Sequence, residues 1–240
     1  MAKIAGSAVL ITGGNRGIGR ALVEEALKRD ARRVYVGTRK LFTHTDERVT
    51  PLTLDVTDRT GIQQAVGAIE SLDILINNAG VTTYDDLSDQ SVLEQQLAVN
   101  LFGLLAVTQA LLPALTRAGG AIVNTLSLAS LAPPPFSPSY AISKAAAFSA
   151  TQALRTRLAG EGITVHGVLP GPVATDMNAN LDIPIPMASP ESVAHAIFDG
   201  VEAGDEDIFP DPVSAELADA WRKGVTKGLE QQFATLPQSM

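Results

Sequence analysis

The hexapeptide SYAISK has the residue types and spacing to move a proton. It sets Lys144 four residues after Tyr140, and neither of the other two tyrosines has a lysine at that spacing. The segment 138–159 is helical in pattern, and residues four apart on a helix share a face. A free tyrosine titrates near pH about 10, too high for a good proton donor or acceptor in neutral solution. A neighbouring ammonium favours the phenolate, so Lys144 is expected to bring Tyr140 down towards working pH for general acid–base catalysis.

A second group of residues has the make-up of a ligand cradle. The stretch TGGNRGIG ends an apolar run and opens an amphipathic segment, with Gly13, Gly17 and Gly19 spaced G-x-x-x-G-x-G around Asn15, Arg16 and Ile18. A glycine turn between a strand and a helix lets backbone approach a pyrophosphate that the helix N-terminus attracts, which implies dinucleotide binding. The end of the second apolar run selects among dinucleotides. An NAD site usually has an acid there, but no Asp or Glu falls between Asp30 and Asp46, and the residues present are Thr38, Arg39 and Lys40. A 2′-phosphate is best met by guanidinium forks and a hydroxyl. These residues and Arg16, in a chain of net charge −8, point to NADP(H).

Elements that could position these groups are legible as an alternation. Short runs, apolar at consecutive positions, occupy 8–12, 33–37, 50–54, 73–77, 121–126, 164–169 and 207–209. Such runs suit strands buried on both faces of a parallel sheet. Helix-like segments lie between them at 18–29, 58–70, 88–115, 138–159 and 190–203, the last opened by the capping sequence Ser189-Pro190-Glu191. The expected fold is α/β: one doubly wound, Rossmann-type parallel sheet of about seven strands with helices on both faces. No repeat or linker divides residues 1–240, so a single domain is expected. Val213, Leu217, Trp221, Val225, Leu229 and Phe233 recur every four residues, which predicts a long C-terminal helix over 213–235, packed on the sheet's own helices, a neighbouring subunit or the active site.

Composition removes several classes of function. With 45% hydrophobic and 18% charged residues the chain can bury a substantial core, and with no cysteine it has neither disulfides nor thiolate metal sites. His44, His166 and His195 lie in unrelated segments without ligand spacing, so no metal is expected. The acidic balance argues against nucleic acid. No run is expected to reach the roughly 20 apolar residues of a membrane span, and the N-terminus lacks a signal pattern, so a cytoplasmic protein with no membrane partner is expected.

The whole pattern resembles the short-chain dehydrogenase/reductase family over nearly the full length. TGGNRGIG is similar to that family's cofactor loop, NNAG (77–80) to the motif after its fourth strand, and LAVNLFG (97–103) to the segment with its active-site asparagine. LSLAS with SYAISK resembles its serine and Tyr-x-x-x-Lys motifs, and LPGPVATDM (169–177) its nicotinamide-side motif. The resemblance implies that Tyr140 gives its proton to a carbonyl oxygen as hydride arrives, and that Lys144 also bonds the nicotinamide ribose. Ser127, thirteen residues before Tyr140, would orient the carbonyl and stabilise its developing charge, with Ser130 as a competing candidate. Asn100 would hold, through its backbone carbonyl, a water that relays protons to Lys144. Asn78, Ala79 and Gly80 would line the adenosine ribose and Asp55 with Val56 the adenine; Pro170, Gly171, Val173 and Thr175 would face the nicotinamide.

Two departures from the family pattern bear on specificity. Only fifteen residues separate Arg39 from Asp55, so the helix usual there is expected to be lost or cut to one turn, opening the adenine pocket. The loop MNANLDIPIPMAS is short and, with Leu128, Pro134, Pro135 and Phe136, suggests an apolar pocket for a hydrophobic ketone or secondary alcohol. The leading expectation is an NADPH-dependent carbonyl reductase. Alternatives are a reductase of 3-oxoacyl thioesters on an acyl carrier protein, which would want a basic rim that 127–138 and 176–190 lack, and a non-catalytic NADP(H) sensor. The resemblance also implies a homodimer or homotetramer pairing 88–115 and 138–159.

Overall fold

In a computed structural model, described here for residues 2–40, 42–179 and 185–235, seven parallel strands form one sheet in the order β3-β2-β1-β4-β5-β6-β7. The strands are β1 (Ala8–Thr12), β2 (Arg33–Thr38), β3 (Val49–Thr53), β4 (Ile74–Asn77), β5 (Ala121–Thr125), β6 (Thr164–Val168) and β7 (Asp207–Ile208). Consecutive apolar residues suit this sheet because both faces are covered. Along β1, Val9 and Ile11 enter one core with Leu22, Val23, Ile197 and Phe198, while Ala8 and Leu10 enter the other with Leu111, Leu115 and Leu158. Pro51 is tolerated in β3 because that strand lies at the edge of the sheet and pairs only with β2.

The helices are α1 (Gly17–Lys28), α2 (Arg59–Gly67), α3 (Gln90–Leu97), α4 (Leu104–Ala118), α5 (Pro138–Leu158), α6 (Pro190–Ala203), α7 (Pro212–Arg222) and α8 (Val225–Ala234). The segment expected as one helix over 88–115 runs as α3, a π-helical turn at Ala98–Gly103 and α4. By length and composition Gln90–Ala118 could cross a membrane, with a mean hydropathy of 1.8 in its most apolar window. That corrects the expectation that no segment qualifies. In this fold one side of the run is core: Leu104, Val107, Leu111 and Leu115 are buried against the sheet or its helices.

Between β2 and β3 no helix forms among the described residues. Phe42 fills part of the vacated space in the core, and Arg20 lies 5.7 Å over its ring. At the C-terminus the expected single helix is two. Gly224 is extended and starts α8 afresh, and α8 docks through charge: Lys227 lies 2.7 Å from Glu206, 2.9 Å from Asp207 and 2.9 Å from Glu230, and Arg155 of α5 pairs with Asp207 and Glu230. Of the apolar stripe, Trp221 packs against Phe148, whereas Leu217, Val225, Leu229 and Phe233 are exposed.

Candidate active site

The strand order reverses between β1 and β4, the place where doubly wound sheets bind ligands. The loop from Gly13 to Arg16 fills this switch point. Gly13 and Gly17 both have positive φ, and a Cβ added at Gly19 would sit 2.2 Å from the Gly13 carbonyl oxygen. Only glycine permits that approach of helix to turn. Arg16, the N-cap of α1, gives the helix no side-chain cap and the first turn holds no acid, whereas α2, α3, α6 and α7 start on capping Asp or Ser side chains. The first amides of α1 are therefore left for an anion, which fits a dinucleotide pyrophosphate.

Asn78 and Ala79 act on this cradle from within. Both donate backbone N–H to the Thr12 hydroxyl at 3.0 Å, and the Asn78 amide donates to the Thr12 carbonyl at 3.1 Å. Thr12, buried at the end of β1, ties the two loops together and was not among the expected site residues; the threonine opening TGGNRGIG was the available signal. Gly80 leads towards Lys144, since a Cβ there would lie 3.5 Å from the Lys144 Nζ.

At the end of β2, Arg39 and Lys40 are exposed and Thr38 is buried. The Thr38 hydroxyl donates to the Lys40 carbonyl, so it shapes the turn that presents the two cations. Asp55 accepts from the Thr57 N–H at 2.9 Å and the Thr57 hydroxyl at 2.7 Å; these bonds, with the Arg39 charge, hold its carboxyl below the usual range. The cap of α2 is Asp58, which leaves Asp55 on the turn beside buried Val56. Arg16 reaches Asp176 at 3.5 Å with both side chains exposed, a pair that adds little to stability.

Ser127 lies two residues past β5 and accepts from the Ala129 N–H at 3.1 Å. Its hydroxyl is near enough to Tyr140 to favour the phenolate. Ser130, the competing serine, has a buried hydroxyl without a partner among the described residues. Lys144, 5% exposed, donates to the Thr125 carbonyl at 2.8 Å, and its Nζ lies 5.8 Å from the Tyr140 ring centroid. These contacts bring serine, tyrosine and lysine into one group at the C-terminal end of the sheet. The electrostatics differ from expectation. Burial pushes the Tyr140 phenol up, outweighing the Ser127 hydroxyl that favours the phenolate, and pushes Lys144 down to about 8. The ammonium points at the Thr125 carbonyl and does not draw Tyr140 down, so Tyr140 stands as a protonated phenol.

Asn100 lies in the π-helical turn and is 2% exposed. Its side chain brackets Val81, accepting from the Val81 N–H at 2.9 Å and donating to the Val81 carbonyl at 2.9 Å, and donates to the Ser143 hydroxyl at 2.9 Å. Ser143 in turn donates to the Tyr140 carbonyl at 2.7 Å. The side chain of Asn100 thus braces the turn that carries Tyr140, a job that sequence reasoning had not given it. π-turns often mark functional positions in helices.

In the loop after β6, Thr175 meets the glycine loop: a Cβ on Gly17 would lie 3.2 Å from the Thr175 methyl. Val173 bridges to Ala188, and its carbonyl accepts from the Asn178 amide at 2.9 Å. The Pro170 carbonyl accepts from the Leu128 N–H at 2.9 Å, linking this loop to the serine loop. Asp211, 4% exposed, anchors the turn by accepting from the Gly171 N–H at 2.8 Å while capping α7. Asp211 was also missed, although Asp211-Pro212 repeats the helix-start signal of Ser189-Pro190. In the expected apolar pocket, Phe136 stands edge-on to Tyr84 at 5.7 Å, and Leu131, Met177 and Ile185 are exposed nearby in sequence. Asn180 to Pro184 of the substrate loop lie outside the described residues. The three histidines are scattered, His44 beside Glu24, His195 beside Glu25 and His166 on the Asp205 carbonyl.

The buried ammonium gives a stability prediction with a definite sign. Below pH about 8 Lys144 is charged in folded and unfolded chains alike, and the fold bears the full desolvation cost. Between about 8 and 10.5 the unfolded chain holds a proton that the folded chain has released, so stability contributed by this group rises with pH. Lys144→Met removes the cost, so the cofactor-free variant is expected to be more stable than wild type at pH 7, on the order of 1–3 kcal/mol. The gap should close towards pH 10.5. Denaturant titrations at both pH values check this, and a destabilised variant at pH 7 would refute it.

Fold and site together have the form of a Rossmann-type oxidoreductase, with Ser127, Tyr140 and Lys144 brought together beyond the C-terminal ends of the strands. The family described as short chain dehydrogenase matches residues 7–184. The chain is 30% identical over 222 residues to the ketoacyl reductase HetN of a Nostoc species, covering 84% of this chain and 77% of HetN. It is 31% identical over 223 residues to a 3-oxoacyl-[acyl-carrier-protein] reductase of a Synechocystis species, covering 82% and 90% of the two chains. Among solved structures, a short chain dehydrogenase from Burkholderia cenocepacia in complex with NADP superposes with a TM-score of 0.87 at 32% identity, covering 98% of this chain and all of the other. The protein belongs to the short-chain dehydrogenase/reductase family.

Proposed function

We propose that this protein is an NADPH-dependent reductase of hydrophobic ketones or aldehydes, reversible to secondary alcohol oxidation. The observation that carries the reading is the Ser127–Tyr140–Lys144 group held beside a glycine cradle, with Tyr140 kept protonated by burial. The loops at Gly13–Gly19, Asn78–Gly80 and Pro170–Thr175 would hold the dinucleotide, and Thr38, Arg39, Lys40, Asp55 and Val56 its adenosine end. When bound, the reduced nicotinamide supplies hydride. Ser127 orients the carbonyl through its hydroxyl, and Tyr140 donates the phenolic proton to the carbonyl oxygen, completing the alcohol. A solvent proton then restores the phenol, and Lys144, anchored on the Thr125 carbonyl, would bond the nicotinamide ribose. The solved relative with NADP supports the cofactor choice, as do the exposed Arg39 and Lys40.

A second reading, reduction of a 3-oxoacyl thioester on a carrier protein, is favoured by the names of two relatives. The absence of lysine and arginine from 127–138 and 176–190 in this sequence weighs against docking of an acidic carrier. Steady-state assays with NADPH, comparing free hydrophobic ketones with 3-oxoacyl carrier protein, separate the readings; turnover confined to the carrier-bound thioester would overturn the first. We propose further that the protein is cytoplasmic and a dimer or tetramer pairing α3–α4 and α5, where Phe102 and Ile142 are exposed.

The cofactor assignment has its own test. Arg39→Asp replaces a cation with a repelling anion, so Kd for NADPH is expected to rise by about 10- to 100-fold, with NADH little affected. Fluorescence titration with both nucleotides measures the ratio, and an equal loss would remove Arg39 from the phosphate site.

A further inference from the structure

The helix that carries Tyr140 and Lys144 lacks a cap of its own. Ser137, at the N-cap of α5, makes no side-chain capping bond, and the first turn contains no acidic residue. The missing acceptor comes from a segment 54 residues away in sequence. The Asp85 carboxylate accepts from the Ser139 N–H at 3.3 Å through one oxygen and from the Ser139 hydroxyl through the other. The Asp85 N–H donates to the Phe136 carbonyl at 3.2 Å, so the same residue grips the chain on both sides of the helix start. Ser139 is fully buried and directly precedes Tyr140. We propose that Asp85 is a positioning residue for the reaction, capping α5 from outside and fixing the first turn so that the Tyr140 hydroxyl meets the substrate carbonyl.

Physical considerations make this more than a structural tie. A carboxylate at a helix N-terminus satisfies orphan amides and complements the positive end of the dipole. The bond to Ser139 is one peptide unit from the proton donor, and a misplacement of about 1 Å in a catalytic group can cost about 100-fold in rate. Asp85 and Asn100 grip the same turn from two sides, Asp85 through Ser139 and Asn100 through Ser143. Neighbouring Tyr84 packs edge-on to Phe136, so the clamp also joins this aromatic pair to the helix of the proton donor.

The inference rests on Tyr140 being the proton donor, and the test keeps the two apart. Asp85→Ala is expected to lower kcat by about 10- to 100-fold, with KM and NADPH affinity within about twofold of wild type, because neither ligand site is touched directly. The deuterium isotope effect on kcat with C4-labelled NADPH should rise as the chemical step becomes limiting. Asp85→Asn keeps an acceptor for the Ser139 N–H and an amide that the Ser139 hydroxyl can accept from, so it should recover most of the rate. If Asp85→Ala does not fold, Ser139→Ala removes the hydroxyl contact alone and is expected to lower kcat by severalfold with the same rise in isotope effect. A kcat of Asp85→Ala (or of Ser139→Ala in its place) within twofold of wild type, while Tyr140→Phe is inactive, would overturn the positioning role and leave the donor assignment standing. A kcat loss matched by an equal loss of NADPH-binding sites, with an unchanged isotope effect, would overturn it too. An active Tyr140→Phe would instead remove the reading beneath it.

Discussion

Tyr140→Phe is expected to lower kcat for ketone reduction by about 100- to 10,000-fold, the usual contribution of general acid–base catalysis, while NADPH binding survives. The substitution removes one oxygen and leaves the ring in place. The ring packs in the same helical turn as Ser143 and Ser139, which Asn100 and Asp85 hold through their own side chains, so the backbone has no reason to move. The lost oxygen is the atom that burial keeps protonated and that the Ser127 hydroxyl acts on. No neighbouring group replaces it: Ser127 is a far weaker acid, and the Lys144 ammonium is directed at the Thr125 carbonyl. Rapid-mixing kinetics with NADPH fluorescence separates the two effects, giving the binding amplitude and the reduction rate in one experiment. A variant with near-normal turnover would show that the proton comes from elsewhere.

The second large effect is expected at Gly19. A Cβ there would stand 2.2 Å from the Gly13 carbonyl oxygen and 2.5 Å from the Asn78 amide nitrogen. The first neighbour is backbone, so the clash cannot be relieved by a rotamer change. Gly19→Ala must push α1 away from the turn or displace Asn78, and either opens the cradle that presents the α1 amides to a pyrophosphate. Because third-glycine positions in such loops allow close helix–strand packing, nucleotide affinity is expected to fall by at least about 100-fold, a loss of roughly 2.7 kcal/mol. Gly67→Ala serves as the control, since a Cβ at that helical glycine would meet nothing within 4 Å, and it should bind nucleotide like wild type. Isothermal titration with NADPH reads both; wild-type affinity in Gly19→Ala would mean that the loop does not bind the nucleotide.

Much of the architecture was legible because burial on two faces writes itself into sequence as consecutive apolar residues. Strands at 8–12, 121–126 and 164–169 were recognisable for that reason, and Ser189-Pro190 marked the start of α6 to the residue. Local spacing also placed Tyr140 and Lys144 on one helix, since four residues make about one helical turn. What escaped the sequence depends on long-range contact. The Asp85 clamp spans 54 positions and the Asp211 anchor 40, distances over which pattern carries no information. The C-terminal stripe promised an apolar docking face, but Gly224 breaks the helix and the Arg155–Asp207–Lys227–Glu230 cluster takes over the docking. The state of Tyr140 was misjudged for a related reason: a nearby cation can be read from spacing, whereas desolvation is a property of the folded surroundings.

The central claim is that hydride passes to a carbonyl carbon while Tyr140 protonates its oxygen. Turnover of a hydrophobic ketone with C4-deuterated NADPH, followed by mass analysis of the product, tests it most directly. The account predicts an alcohol bearing one deuterium on the carbinol carbon, formed by wild type and lost in proportion to rate in Tyr140→Phe. Wild-type enzyme that binds NADPH yet transfers no deuterium to any member of a broad ketone and 3-oxoacyl thioester panel would contradict it.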